Sequence, residues 1–341
     1  MKRAHQITIK DIAKELKISV ATVSRAFRNT YDVSEATKKS VLAKASELNY
    51  RPNFNATGLV THKSHNIAVI LPTITNYYFS TVITGIQEVA YNNGYNIILH
   101  VTGESSDREI SIAQDLSLSS IDGLLVCVTS ESKKSNHLKE IIDKGLPIVF
   151  FDRAAELINT SKVIQNDFEG AFMAVEHLVK NGYKNIAHIG GPTELSFTKG
   201  RLRGYLAALR KYNLPVRYDW IIHSEFTQLS GNLDTKKLWR CKNKPDAIFA
   251  VNDRKAIGAI LALKEKGIKI GVEVGVVGFT NDPMSAIISP SLSTIEEPAL
   301  EIGKQSCQLL LKHISKRNFI PEEIILNGKL IVRESSSKKA G

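Results

Sequence analysis

Tyr78, Phe79, Asp152, Arg153, Asn252 and Asp253 each follow a short apolar run, and Arg201 opens a helical pattern just after Gly190-Gly191-Pro192. If those runs are strands of parallel sheets, these residues gather at strand carboxyl ends, where ligand clefts in such sheets form. Aromatic faces with convergent carboxylate, amide and guanidinium groups suit a polyhydroxylated ring, whose C–H face packs while its hydroxyls hydrogen-bond. Each residue also has an ordinary alternative: Asp152 could cap a helix and Arg201 could form a surface ion pair. No nucleophile elbow, P-loop or zinc signature accompanies them, and Gly190-Gly191-Pro192 is too short for a phosphate loop. The sequence therefore reads as a binding protein rather than an enzyme, with no cofactor and no metal site.

The elements that would position these residues alternate. Predicted strands are 67–71, 97–101, 123–128, 148–151, 186–189, 247–251 and 274–278. Helical patterns lie between them, for example 83–92, 168–180, 201–212 and 255–266. Strands apolar on both faces, interleaved with helices, imply parallel sheets covered by helices. Asn66-Ile-Ala-Val-Ile recurs as Asn185-Ile-Ala-His-Ile, which suggests two similar α/β lobes.

The first fifty residues have a different character. Thr8 and Asp11 make a capping-box-like pair, and Ile9, Ile12, Ala13 and Leu16 form one apolar helical face. Lys17-Ile18-Ser19 breaks that pattern, and Ser19 caps a second helix whose apolar face is Val23, Ala26 and Phe27. Ser34 caps a third, longer helix with Val41, Ala45 and Leu48 inward, ending before Arg51-Pro52. Two short helices and a tight turn, braced by a third helix, form the helix-turn-helix unit that sets its second helix in the DNA major groove. Charge agrees. Residues 1–65 carry 12 Lys and Arg against 5 Asp and Glu, +7, whereas the rest carries 33 against 29, +4. A basic excess concentrated in a fifth of the chain is the footprint of a polyanion binder.

The motifs at Thr8–Ala13 and Ile18–Ser24, with Leu48-Asn49-Tyr50-Arg51-Pro52-Asn53 closing the third helix, resemble the lactose-repressor/galactose-repressor family of bacterial transcription regulators. That resemblance implies that Val20, Ala21 and Arg25 face base edges. Arg25 would read guanine in bidentate fashion, and the two small apolar residues would meet thymine methyls. Ser19, Thr22, Ser24 and Asn29 would contact phosphates, though capping is an equal alternative for Thr22 and Ser24. Residues 53–65 would be a hinge folding on DNA, in which Asn53 and Ala56 contact the duplex and Leu59 wedges into the minor groove. Gly58 lowers the helix propensity of that stretch.

The resemblance extends through Arg201-Leu202-Arg203-Gly204-Tyr205, Val251-Asn252-Asp253, Val277-Gly278-Phe279 and Pro290–Ile295. It implies a two-lobed core like a type I periplasmic sugar-binding protein. Lobe one would hold about 66–164 plus 293–322, and lobe two about 165–292 plus 323–334, with crossovers near 164, 293 and 323. Residues 335–341 would be a polar tail without heptads for a tetramerising helix. Phe226 would supply an aromatic wall to the cleft. Asn281 would be a further contact, where Gly278-Phe279-Thr280-Asn281 replaces a motif that usually carries an effector-binding carboxylate.

The expected fold class is thus a three-helix DNA-binding domain joined to a two-lobed α/β effector domain. The expected protein is a homodimeric regulator, most readily a repressor, with double-stranded operator DNA and a sugar-like effector as partners. Cys127, Cys241 and Cys307 are far apart in apolar or helical settings, which suits a reducing compartment. No secretory signal or membrane-length apolar run appears, so the expected location is the cytoplasm. The alternatives are an exported solute-binding protein with the same core, and a regulator answering to a protein partner through a vestigial cleft.

Overall fold

A computed structural model of the chain describes residues 7–27, 32–50, 63–130, 135–155, 157–316 and 320–338. The chain divides into two compact units, residues 1–65 and 66–341. The expected hinge contacts Asn53, Ala56 and Leu59, and the expected phosphate contact Asn29, lie outside the described residues.

The first unit contains helices α1 (Ile9–Leu16), α2 (Val20–Phe27) and α3 (Glu35–Glu47). The Asp11 carboxylate accepts from the Thr8 N–H and hydroxyl, both at 2.8 Å. Lys17 in the left-handed region (φ 51°) ends α1, and Ser19 Oγ accepts the Thr22 N–H at 3.0 Å to start α2. Ser34 caps α3 through the Thr37 N–H. Ile12, Val23 and Val41, one from each helix, are fully buried at the centre. Phe27 packs against Tyr50 with ring centroids 5.6 Å apart. A three-helix unit this small has little other apolar surface to bury, so those contacts fix the angle at which α2 is presented.

The second unit is built on two six-stranded sheets. The first runs β11-β5-β4-β3-β1-β2, from β1 (Asn66–Leu71), β2 (Asn96–Val101), β3 (Gly123–Val126), β4 (Ile148–Phe151), β5 (Lys162–Gln165) and β11 (Glu323–Leu326), all parallel. The second runs β12-β10-β9-β8-β6-β7, from β6 (Ile186–Gly190), β7 (Ile221–His223), β8 (Ala247–Ala250), β9 (Gly275–Thr280), β10 (Ser293–Glu296) and β12 (Lys329–Ile331). Here β12 alone is antiparallel. Central strands such as β3, β4 and β8 are buried at every residue because helices cover both sheet faces. In the first lobe α4 (Tyr77–Asn92) packs on α12 (Ala299–Ser315), with α5 (Ser106–Asp115) and α6 (Asn136–Asp143) packed together. In the second lobe α7 (Asp167–Lys180) packs on α8 (Ser196–Lys211), and α9 (Gln228–Leu238) on α10 (Asp253–Lys264), with the short α11 (Met284–Ile287) after β9.

Two expected crossovers shift. The sequence places the return to lobe one near residue 293, but β10 pairs with β9 and Ile295 fills the second lobe's core, so the crossing follows Glu296. Residue 323 was expected to re-enter lobe two, but β11 adds an edge to the first sheet beside β5, so that crossing follows Leu326. The tail also differs from expectation through residue 338. Ser335 and Ser336 are buried, and Ser335 Oγ donates to the Val276 carbonyl at 2.6 Å while its N–H donates to that of Ser291 at 2.9 Å. The physical reason is that this serine run satisfies backbone groups at the end of the second sheet.

His188 on β6 has a consequence for pH. It is fully buried, stacked between Tyr205 and Phe249 at 5.3 and 5.0 Å, and burial pushes its imidazole down to about 3. The folded state refuses a proton that the unfolded state accepts below its ordinary value of 6.5. Stability should therefore fall as pH drops from about 6.5 towards 3, by up to about 1.4 kcal/mol per pH unit for this one group. Urea midpoints across that range should show the slope, and His188→Phe should flatten it by one proton.

Candidate functional site

Two sets of residues could meet partners. In the first unit, Val20, Ala21 and Arg25 point outward from α2, with Val20 38% exposed, while Val23 and Ala26 face the core. Arg25 makes a 3.3 Å ion pair with Asp32, which holds a long side chain over the outer face of the helix. Ser19 caps the start of α2, and its hydroxyl also bonds that of Thr22 at 2.8 Å. Ser24 is half-buried on the same helix.

The second set lines a cavity of about 270 Å3 between the two lobes of the larger unit. Lobe one contributes Tyr78 and Phe79 from the first turn of α4, where Asn76 caps the helix through the Phe79 N–H at 2.8 Å. Asp152 follows β4 in the left-handed region (φ 60°), and this unusual backbone aims its carboxylate at Tyr78, whose hydroxyl donates to it at 2.9 Å. Burial pushes the Tyr78 hydroxyl well above its ordinary value, so it is a neutral donor. Arg153 Nη1 donates to both oxygens of Glu104 at 2.9 and 3.0 Å.

Lobe two contributes a wall of two stacked rings, Phe197 and Phe226, with centroids 5.5 Å apart. Gly191 is what admits that wall: a Cβ there would lie 2.2 Å from the Phe226 ring. The Asn252 amide donates to the Phe226 carbonyl at 3.2 Å, while its oxygen caps α10 through the Lys255 N–H.

Arg201 is the hub, though not in the way the sequence led one to expect. Its Nε donates to Asp167 at 2.8 Å, Nη1 to the Val251 carbonyl at 2.6 Å and Nη2 to Glu297 at 2.5 Å, and its guanidinium lies 3.6 Å from the Phe279 ring centroid. Asp167 opens α7 just after the first crossing and Glu297 stands in the second, so one buried side chain ties both. Burial pushes the Asp167 carboxyl up to about 6 and that of Glu297 up to about 8, each opposed by Arg201.

Two other expected contacts are also spent internally. Asp253 lines the cavity, but its oxygens accept from the Thr294 hydroxyl at 2.6 Å and the Asp282 N–H at 2.8 Å. Burial pushes its carboxyl up to about 7. Asn281 does not line this cavity. It faces an adjoining one, donates to Glu296 at 3.0 Å and accepts from Arg333 at 2.8 Å. Its positive φ (56°) turns the chain after β9 and swings the amide away from the cleft.

Comparison with known proteins bears on both sets. Residues 8–53 match the model for bacterial regulatory proteins of the lacI family, and residues 175–336 match a periplasmic binding protein-like domain. The chain is 31% identical to the HTH-type transcriptional repressor PurR of Vibrio parahaemolyticus, over 97% of this chain and 99% of that protein.

The chain belongs to the lacI family.

Among solved structures, a lac repressor dimer bound to operator and the anti-inducer ONPF superposes with a TM-score of 0.85 at 23% identity, covering 97% of this chain and 99% of the other. A LacI family regulator from Enterococcus faecium with bound ribose superposes with a TM-score of 0.69 at 27% identity, covering 81% and 100%.

Thr280 lines the cleft where the sequence already lacked the carboxylate that the resemblance implies, and Asp282, two residues on, lines it too. Glu297, one strand over, supplies an acid to Arg201. Sequence reasoning missed Glu297, Asp167, Glu104 and Phe197. A signal existed for Phe197, which stands four residues before Arg201 and so shares its helical face. None existed for the acids, whose partner lies 34 to 96 residues away or in the other lobe. Among the described residues no helix is long and apolar enough to cross a membrane.

Proposed function

We propose that this lacI-family protein is a cytoplasmic, homodimeric repressor whose operator affinity is set by a sugar-like effector held between the lobes. DNA binding and transcriptional regulation follow from the family. The finer reading rests on one observation above all: a cleft with the Phe197–Phe226 wall on one lobe and the Tyr78–Asp152 pair on the other, able to stack a ring and bond its hydroxyls. The ribose-bound relative supports a sugar. Dimerisation is supported by the lac repressor dimer and by apolar surface that a lone chain leaves in water. Ile98 and Leu99 sit on the edge strand β2, and Leu229, Leu233 and Leu261 lie on the packed pair α9–α10.

An exported solute-binding protein would leave residues 8–53 without a role. A vestigial cleft is the weaker reading because the Phe197–Phe226 wall and the Tyr78–Asp152 pair still line the cavity. The relatives are regulators, and we read the chain as a non-enzyme on that ground.

The test combines calorimetry against mono- and disaccharides with operator binding by fluorescence anisotropy. Linkage requires that operator DNA change sugar affinity by the same factor that sugar changes operator affinity. Reciprocal factors support the reading. A sugar that binds while DNA affinity stays unmoved points to a solute-binding role. Modulation only by a protein partner would leave the cleft vestigial.

A further inference from the structure

We propose that the cleft accepts a hydroxylated ring that is uncharged or amine-bearing and rejects the phosphorylated or carboxylated form of the same ring. The proposal rests on the effector reading above and narrows it to a charge class.

The argument starts from where the positive charge goes. A phosphate or carboxylate site needs guanidinium or ammonium donors with hydrogen bonds to spare. Here each buried arginine already faces two carboxylates. Arg201, 5% exposed, spends Nε on Asp167, Nη2 on Glu297 and Nη1 on the Val251 carbonyl. Arg153, 7% exposed, gives Nη1 to both oxygens of Glu104; its buried Nε makes no hydrogen bond, but the Asp152 carboxylate 3.7 Å away offsets its charge. The third arginine at the cavity, Arg254, lies exposed at the rim and reaches the Thr75 carbonyl at 3.4 Å. Among the described residues no lysine lines the cavity, and six carboxylates do against three guanidiniums.

Protonation does not rescue an anion site. If one of the two acids on Arg201 carries a proton, the set is neutral; if neither does, it is negative. Only with both acids protonated is the set positive, and that needs a pH below about 6, where Asp167 also takes up a proton; near neutral pH the set offers no net positive charge. An entering phosphate would have to displace a buried carboxylate from Arg201 and leave it unpaired, which costs several kcal/mol.

Two helices that open on the cleft, α4 and α10, have first-turn amides taken by Asn76 and Asn252. Two places for an anion remain: the first turn of α8, which has no side-chain cap, and Arg254 at the exposed rim, where water competes for the charge. Binding there is what the experiment must detect. An ammonium group, by contrast, finds the Asp152 carboxylate beside the Tyr78 hydroxyl without displacing anything.

The experiment titrates the full chain calorimetrically with ribose, galactose, glucose and cellobiose, with glucosamine and galactosamine, with ribose 5-phosphate, glucose 6-phosphate and gluconate, and with inorganic phosphate. The expected result is that any sugar that binds does so about 30-fold or more tighter than its phosphate, a gap of about 2 kcal/mol, and that inorganic phosphate does not compete. Measured above pH 8, where Glu297 is ionised, Glu297→Gln removes one of the two charges facing Arg201 and should narrow that gap by about 10-fold, or about 1.4 kcal/mol. A phosphate or carboxylate form that binds as tightly as its neutral parent, or inorganic phosphate that competes, overturns the proposal and leaves the effector reading standing. A cleft that binds nothing in the panel overturns both.

Discussion

Replacing Arg201 with alanine is expected to destabilise the larger unit by about 3–5 kcal/mol, and not simply to blind the cleft. Among the described residues the Arg201 guanidinium is the one charged partner within hydrogen-bond reach of both Asp167 and Glu297, and both carboxyls are buried with it. Removing one member of a buried ion set costs far more than the set contributes, because the remaining charges lose their compensation without regaining water. The pH dependence separates this from a plain cavity effect. Carboxyls left without Arg201 have folded-state values raised further above their unfolded ones, so the stability they permit is present at low pH and lost as pH rises. The deficit of Arg201→Ala should therefore be smaller near pH 5 than near pH 8, whereas a cavity penalty would be flat. Adding Glu297→Gln to the variant should restore part of the loss at high pH. Urea unfolding at the two pH values reads all three effects. A deficit under 1 kcal/mol at pH 8 would show that Arg201 is not the tie between the two crossings.

That expectation replaces the simpler one available from sequence, where Arg201 is a free donor awaiting a ligand. The difference shows what was legible and why. The two-lobed architecture is written in local patterns: β1, β3, β4 and β8 are apolar at nearly every residue, a signal that burial on both sides imposes. The three helices of the first unit are legible because Thr8, Ser19 and Ser34 announce their starts. The short strands are less so. β5 reads Lys-Val-Ile-Gln and β11 reads Glu-Ile-Ile-Leu, half-polar stretches at one edge of the first sheet whose membership depends on each other across about 160 residues. Neither stretch stands out as a strand in the sequence, and nothing local says which sheet it joins, so the expected crossings near 293 and 323 fall short of those after Glu296 and Leu326. The same distance hides the cleft's electrostatics. Tyr78, Asp152 and Arg201 could be placed near strand ends, and Phe226 by the family resemblance, but which acid meets which guanidinium is settled only when the lobes fold. Asn281 shows the converse: its type suits a ligand, yet Arg333, 52 residues on, takes its oxygen.

The other large effect is expected on DNA. Arg25 stands on the outward face of α2 with its side chain 50% exposed and steered by Asp32. A bidentate arginine–guanine contact discriminates by about 1–3 kcal/mol. A dimer reads two half-sites related by its twofold axis, so Arg25→Ala removes the contact twice and should cost about 2–6 kcal/mol on a symmetric operator. Selection from random duplexes by the native chain should return an inverted repeat, and selection by the variant should return the same repeat with one position per half-site relaxed. Because an exposed ion pair is worth at most about 1 kcal/mol, Asp32→Asn should alter affinity only slightly while loosening the preference at that same position, since it releases the side chain without removing it. The salt dependence identifies the kind of contact. A base-reading arginine can be lost with little change in the slope of log affinity against log salt, whereas a phosphate-bound one lowers that slope by about one and weakens all sequences alike. A uniform loss with a shallower slope would move Arg25 from the bases to the backbone and leave Val20 and Ala21 as the readers on α2.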